Sequence, residues 1–159
     1  MSDLRDLYQE IILDHYRTPR NLRAPAGANR TADGHNPLCG DRVRVRLRVA
    51  DGVIEDAGFE GAGCAISTAS ASLMTEAVKG KTVAEAEALF QAFRALVTGD
   101  SAGSTDADLG KLEALAGVRD YPIRIKCATL AWHTLESALR SVSGEVAADP
   151  GAGSVVSSE

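Results

Sequence analysis

The chain is organised around a stretch that alternates arginine with aliphatic residues, Arg42-Val43-Arg44-Val45-Arg46-Leu47-Arg48-Val49. Because side chains two residues apart share a face of a strand, this alternation predicts a strand with one buried and one solvated face. Asp51-Gly52 then gives a strong hairpin signal, and Val53 to Phe59 supplies the returning strand. The arginines suit either a solvated strand face or a docking surface for an acidic partner.

The chain has three cysteines, and each lies where one predicted element meets another. Cys39 sits in Asn36-Pro37-Leu38-Cys39-Gly40-Asp41, whose composition is typical of a tight, exposed turn. Cys64 follows Gly61-Ala62-Gly63, where a glycine-rich loop meets an apolar run. Cys127 follows Arg124-Ile125-Lys126 at the opening of a helical pattern. We expect the three thiols to converge on one site.

Hydrophobic periodicity predicts several helices around the hairpin. They should span residues 3–16, 66–78, 83–97, 109–117 and 123–142. Thr82 and Glu85 have the spacing of a capping box for the third of these helices. Residues 18–38 and 98–108 lack periodicity and are predicted to be loops. His15, near the end of the first helix, is expected to be partly exposed.

Length and charge narrow the class of protein. A chain of 159 residues fits one domain, predicted here as residues 1–143, followed by a disordered tail at 144–159. The net charge of −5 argues against a nucleic-acid binder, and no apolar run is long enough to span a membrane. The N-terminus lacks the blocks of a signal peptide, so a cytoplasmic, reducing setting is expected. There, an odd number of thiols favours reactive or metal-binding cysteines over disulfides.

A metal site would need a fourth ligand beside the three thiols, because Zn²⁺ prefers tetrahedral coordination by sulfur, imidazole nitrogen or carboxylate oxygen. Asp41 can reach the same ion across the Gly40 turn, and His35 is the competing candidate. With Asp41, the candidate ligands are Cys39, Asp41, Cys64 and Cys127. Arg124 and Lys126 are placed by sequence to offset the negative charge of such a site.

Other interpretations of the cysteines remain open at this point. Their separations, 25 and 63 residues, do not form the paired C-x-x-C pattern of many zinc sites. Buried free cysteine is common, and a closed structural zinc would be chemically inert. A cysteine hydrolase is a further alternative, although no histidine is placed by sequence to act as its base.

Three segments of the chain resemble the SufU branch of the U-type iron–sulfur cluster assembly proteins. They are Asn36-Pro37-Leu38-Cys39-Gly40-Asp41, Gly63-Cys64-Ala65-Ile66-Ser67, and Arg124-Ile125-Lys126-Cys127-Ala128-Thr129-Leu130-Ala131-Trp132. The resemblance runs from about Leu4 to Val142. It implies an α+β fold, in which a small antiparallel sheet of about three strands packs against several α-helices.

Two features indicate the SufU branch. The IscU-type relatives carry a histidine directly before the last cysteine, where this chain has Lys126, and residues 98–121 resemble an extra stretch of SufU. The resemblance implies a zinc-dependent sulfurtransferase that accepts persulfide sulfur from a PLP-dependent cysteine desulfurase of the SufS type. It further implies that downstream Suf scaffold proteins are possible recipients.

The same resemblance assigns roles to individual residues. By the family's motif, Cys39, Asp41, Cys64 and Cys127 are the zinc ligands, and Cys39 is the sulfur acceptor. On charge grounds, Arg124 is a candidate for charge compensation at the released thiolate. Two alternatives stay open. One is a scaffold on which iron and sulfide form a [2Fe–2S] cluster, and the other is a binding module with a purely structural zinc.

Overall fold

The computed structural model describes residues 2–36, 40–98, 109–140 and 155–157. Its helices are α1 (Ser2–Arg17), α2 (Ala65–Val78), α3 (Val83–Thr98), a 3₁₀ helix (Gly110–Asp120) and α4 (Pro122–Arg140). The predicted helices are therefore confirmed, with ends that differ by a few residues at most. The capping box is also present, since Thr82 N–H donates to Glu85 Oε1 at 2.9 Å and Glu85 N–H donates to Thr82 Oγ1 at 3.1 Å. Of the loop predicted at 98–108, Thr98 is instead the last residue of α3, and residues 99–108 lie outside the described residues.

The strands are β1 (Arg30–Asn36), β2 (Asp41–Ala50), β3 (Val53–Ala62) and β4 (Val155–Ser157), in the sheet order β3-β2-β1-β4. The predicted hairpin is confirmed: β2 pairs antiparallel with β3. Asp51 and Gly52 take positive φ angles of 53° and 76°, as a tight two-residue turn requires. The three longer strands are antiparallel, which confirms the predicted α+β class.

The loop predicted for residues 18–38 is wrong at its second half, because β1 occupies Arg30–Asn36. The residues of β1 that face the core are Ala32, Gly34 and Asn36. They are too small or too polar to produce the apolar alternation that reveals a strand in a sequence. Pairing with β2, whose pattern is strong, is what makes this segment a strand.

The predicted disordered tail also differs from the structure in one place. Val155–Ser157 form β4, which pairs in parallel with Asp33, Gly34 and His35 of β1. The sheet thus has a fourth, short strand beyond the three that were expected. The rest of the predicted tail, and the boundary proposed at residue 143, lie outside the described residues.

The core lies between one face of the sheet and the helices. Val45 and Leu47 of β2 and Ile54 of β3 are fully buried there. On the helical side, Trp132 stacks on Phe93, with ring centroids 4.9 Å apart, and on Phe90 at 5.8 Å. Within the described part of the chain, no helix combines the length and apolar character needed to cross a lipid bilayer.

Helix α4 packs closely against β1 because Gly34 has no side chain. A Cβ built on Gly34 would overlap the hydroxyl oxygen of Thr134 and would lie 3.2 Å from Leu130 Cδ1. Both of those residues belong to α4. The absence of one methyl group therefore sets the distance between this helix and the sheet.

His15 was expected to be partly exposed, and this prediction is wrong: its side chain is only 1% exposed. Its Nδ1 lies 2.7 Å from the hydroxyl oxygen of Ser72 on α2, and Nε2 lies 3.7 Å from Glu76. Burial of the ring, and next the nearby charge of Arg20, lower the pKa of His15 below its ordinary value. The helix pattern alone could not show this, because the residue that binds the ring is distant in sequence.

Replacing Gly34 with alanine should destabilise the protein, because the new methyl group must displace α4. Overpacking of this kind typically costs about 1–3 kcal/mol. The free energy of unfolding, measured in denaturant, tests the effect. Gly117→Ala is the matched control, since a Cβ there meets nothing within 4 Å. Equal stability of the Gly34 and Gly117 variants would contradict the close packing described here.

The buried His15 should make the protein less stable in acid. Because its pKa is lowered in the folded state, the unfolded chain binds the proton first, and stability falls as the pH drops below about 6.5. Thermal unfolding of the wild type and His15→Gln, compared at about pH 7.5 and pH 5.5 with chelator present, isolates this contribution. The wild type should lose more stability on acidification than the variant. A loss of the same size in both proteins would show that another group is responsible.

Candidate metal centre

Asp41 opens β2 at the end of the tight turn. Gly40 before it has φ of +73°, a conformation that favours glycine, and its N–H donates to the carbonyl of Asn36 at 2.8 Å. Asp41 lies on the face of β2 that carries the core valines, and it is 1% exposed. In the described part of the chain no cationic side chain forms an ion pair with it. Burying a carboxylate without a cationic partner costs free energy, which a bound metal ion could offset.

Cys64 is the N-cap of α2, with extended backbone angles of φ −70° and ψ 172°. Its Sγ accepts a hydrogen bond from the backbone N–H of Ser67 at 3.4 Å, so the first turn of the helix faces the sulfur. Its own N–H donates to Asp41 Oδ1 at 2.9 Å. Gly63 permits this approach, because a Cβ there would lie 2.8 Å from the same carboxylate oxygen.

Cys127 projects from α4 and is 3% exposed. A second contact beside it fixes α4 against α2, since the buried Ser70 hydroxyl donates to the carbonyl oxygen of Ala128 at 2.5 Å. Together with the packing on Gly34, this hydrogen bond fixes the position of α4 and therefore of the Cys127 sulfur. The helix that carries Cys127 is thus held on two sides.

Three of the four predicted ligands converge. One ligand atom each from Asp41, Cys64 and Cys127 lies within 4.8 Å of the others, and Cys64 Sγ is 3.8 Å from Asp41 Oδ2. Two sulfurs and one carboxylate oxygen at these separations form a donor set that suits a divalent metal such as zinc. Asp41 and Cys127 are buried, whereas Cys64 is exposed, so the group has one open side.

Cys39, the fourth predicted ligand, lies outside the described residues. It is bonded to Gly40 and so directly adjoins the turn that leads into Asp41. Asn36 and Gly40, which flank residues 37–39 in the sequence, are joined by the hydrogen bond from the Gly40 N–H to the Asn36 carbonyl. Its role as ligand and acceptor stays a prediction.

The other predicted site residues are not part of this group. His35 lies on the face of β1 opposite to the buried Asn36 and is absent from the converging ligands. Arg124 is exposed, and its guanidinium carbon lies 4.7 Å from the ring centre of Tyr121. It precedes Cys127 by about one helical turn. Its stacking on Tyr121 does not involve a candidate ligand, so its role in charge compensation stays a prediction.

The arginine face of β2 is largely neutralised by carboxylates. Among the described side chains, the cross-strand ion pairs of this face are Arg44–Asp33, Arg46–Glu60 and Arg48–Glu55. Their nitrogen–oxygen distances are 2.5, 3.3 and 3.2 Å. A face of alternating charges is what a solvated strand needs. These pairs weaken the alternative in which the arginines form an open basic surface for an acidic partner.

One residue near the site was not singled out from the sequence. The side chain of Asn36 is 1% exposed, and its Nδ2 lies 4.0 Å from Cys127 Sγ. The signal was present in the sequence, because Asn36 opens the segment that ends in Cys39-Gly40-Asp41. Without knowledge of β1, however, the direction of its side chain could not be inferred.

Comparison with known proteins agrees with this architecture. The family model for the NifU-like N-terminal domain matches residues 7–128. The protein named zinc-dependent sulfurtransferase SufU from Bacillus subtilis is 43% identical over 143 residues, which cover 90% of this chain and 96% of that protein. The protein named iron–sulfur cluster assembly scaffold protein IscU from Streptococcus pyogenes is 41% identical, covering 88% of this chain and 87% of its own length.

A solved structure shows the same fold. The SufU protein of Fervidobacterium islandicum, described as an iron–sulfur cluster assembly scaffold for the SUF system, superposes with a TM-score of 0.74. It is 34% identical and covers 82% of this chain and 95% of its own. The chain therefore belongs to the NifU-like N-terminal domain family, among its SufU- and IscU-type iron–sulfur cluster assembly proteins.

Proposed function

We propose that this protein is a zinc-dependent sulfur carrier of iron–sulfur cluster assembly, which accepts persulfide sulfur from a cysteine desulfurase on Cys39. The observation that carries the proposal is the convergence of Asp41, Cys64 and Cys127 within 4.8 Å. The relative named zinc-dependent sulfurtransferase covers nearly the whole chain and supports zinc as the metal. Lys126, in the place of the IscU-type histidine, supports the same branch.

The ligand set in this proposal is Cys39, Asp41, Cys64 and Cys127, which gives zinc its preferred tetrahedral number. Bound zinc would keep the thiols ionised at neutral pH. The chain's own groups prepare the site: Asp41 Oδ1 receives the Cys64 N–H, which leaves Oδ2 for the ion. Three thiolates and one carboxylate exceed the charge of the dication by about two negative charges, so nearby donors and cations have to compensate.

The transfer step needs the Cys39 thiolate to be free to react. It attacks the terminal sulfur of the desulfurase persulfide, one S–S bond forms at Cys39, and the S–S bond to the desulfurase breaks. The desulfurase cysteine leaves as a thiolate, so no electrons are gained or lost overall. The exposed Arg124, stacked on Tyr121, is the candidate to compensate the charge of the Cys39 thiolate.

In this scheme the desulfurase is a PLP-dependent enzyme of the SufS type, and the carried sulfur goes on to a downstream Suf scaffold. An alternative function is a scaffold on which a [2Fe–2S] cluster forms, which the name of the Streptococcus relative favours. Anaerobic incubation with iron and sulfide distinguishes the two. A stable visible spectrum with bound iron would favour the scaffold, and a protein that keeps zinc instead would favour the carrier.

Replacing Cys39 with alanine should abolish stimulation of the desulfurase, because the accepting sulfur is lost. After incubation with desulfurase and cysteine, mass spectrometry should find one added sulfur on the wild type and none on the variant. Binding of the variant to the desulfurase, measured separately, controls for loss of docking. A variant that binds and still stimulates fully would exclude Cys39 as the acceptor. No added sulfur on the wild type would leave a purely structural zinc as the remaining explanation.

Asp41→Ala should lower zinc affinity by more than the roughly 10–100-fold that loss of an outer-shell partner typically costs. Its melting temperature in the presence of zinc should fall as well, since metal binding contributes to folding free energy. Asp33→Ala is the matched control: its carboxylate pairs with Arg44 on the opposite face of the sheet. Metal content after dialysis provides the measurement. Equal zinc content in both variants would remove Asp41 from the ligand set.

A further inference from the structure

Asn36 is held at the junction of three parts of the site. Its carbonyl accepts the N–H of Gly40, the residue that follows Cys39 in the sequence. Its backbone pairs across the sheet with Asp41, the last residue pair of the β1–β2 ladder. Its buried side chain crosses to α4, where Nδ2 lies 4.0 Å from Cys127 Sγ. One residue thus contacts Gly40, the strand that carries Asp41 and the helix that carries Cys127.

The contact with Cys127 has a defined chemical direction. An amide nitrogen only donates hydrogen bonds, and a thiolate only accepts them, so the pair is N–H to sulfur. The distance of 4.0 Å is at the long end for a bond to sulfur. A buried amide N–H is stabilised by an acceptor, and the Cys127 sulfur is one acceptor within its reach.

The two sulfurs face N–H donors from different sources, at 3.4 Å for Cys64 and 4.0 Å for Cys127. Cys64 Sγ receives the backbone N–H of Ser67 at 3.4 Å, at the start of α2. Cys127 lies inside α4, where backbone N–H groups bond within the helix, so the side-chain amide of Asn36 is a donor from outside the helix. Asn36 is a neutral donor directed at this sulfur, whereas Arg124 is exposed and stacked on Tyr121.

We propose that Asn36 is a positioning residue of the metal centre, whose amide donates to the Cys127 thiolate and strengthens metal binding without adding a ligand. This inference rests on the proposed function, since it assumes that the centre binds zinc. A donor that spreads the excess negative charge of the site weakens the repulsion among its ligands. It also fixes the Cys127 sulfur relative to Asp41, which pairs with Asn36 across the sheet.

Zinc affinity of Asn36→Ala, Asn36→Asp and Asn29→Ala, measured by competition with a chromophoric chelator at about pH 8, tests the role. Asn29, directly before β1, is the matched control, because its side chain also bonds to another element, at Val49 N and O at 2.9 Å, but at the end of β2 far from Asp41. We expect a loss of about 10–100-fold for Asn36→Ala, a larger loss for Asn36→Asp, and little change for Asn29→Ala. The aspartate keeps the size of asparagine but places a negative charge beside the sulfur.

A spectroscopic measurement separates donation from a merely structural role. In the cobalt-substituted protein, loss of the N–H donor should shift the sulfur-to-metal charge-transfer band to lower energy in Asn36→Ala and leave it unchanged in Asn29→Ala. Unfolding of the metal-free variants controls for stability. An unshifted band, or zinc affinities of all three variants within about 3-fold of the wild type, would overturn the inference. If the wild type itself bound no zinc, the proposed function would fail first.

Discussion

The hydrogen bond from Cys64 N–H to the buried Asp41 carboxylate is the contact on which the site depends. It joins the first residue of β2 to the first turn of α2, so the sheet and the helix meet at a charged group. A carboxylate that is 1% exposed is expensive to bury without compensation. In the proposed function zinc supplies that compensation, and metal binding and folding then reinforce each other at the same atoms.

The third ligand is placed by packing. Helix α4 comes close to β1 because Gly34 leaves room for Thr134, and close to α2 because Ser70 binds the carbonyl next to Cys127. These contacts are made by small residues, whose positions vary little once the backbones are in contact. The geometry of the sulfur atoms is therefore set mainly by distances between elements. Side-chain flexibility contributes little to it.

The sequence was most informative where the pattern was strong. The alternation of β2, the Asp51-Gly52 turn and the capping box at Thr82 are local signals, and the structure has all of them. β1 was missed because its inward residues are small or polar, and it becomes a strand only through pairing with β2. The burial of His15 depends on Ser72, which is 57 residues away in the chain. The convergence of Asp41, Cys64 and Cys127 was anticipated from chemistry and family resemblance, whereas the direction of Asn36 required the strand.

The ion pairs on the outer face of β2 constrain how this sequence can change. Each arginine of a pair depends on a carboxylate of the adjacent strand, as Arg44 does on Asp33 and Arg48 on Glu55. If one member of a pair is lost, the charge of the other member is no longer compensated, at positions remote from the cysteines. Partly exposed pairs of this kind each contribute only about 0–1 kcal/mol, so replacing both members together should change stability little.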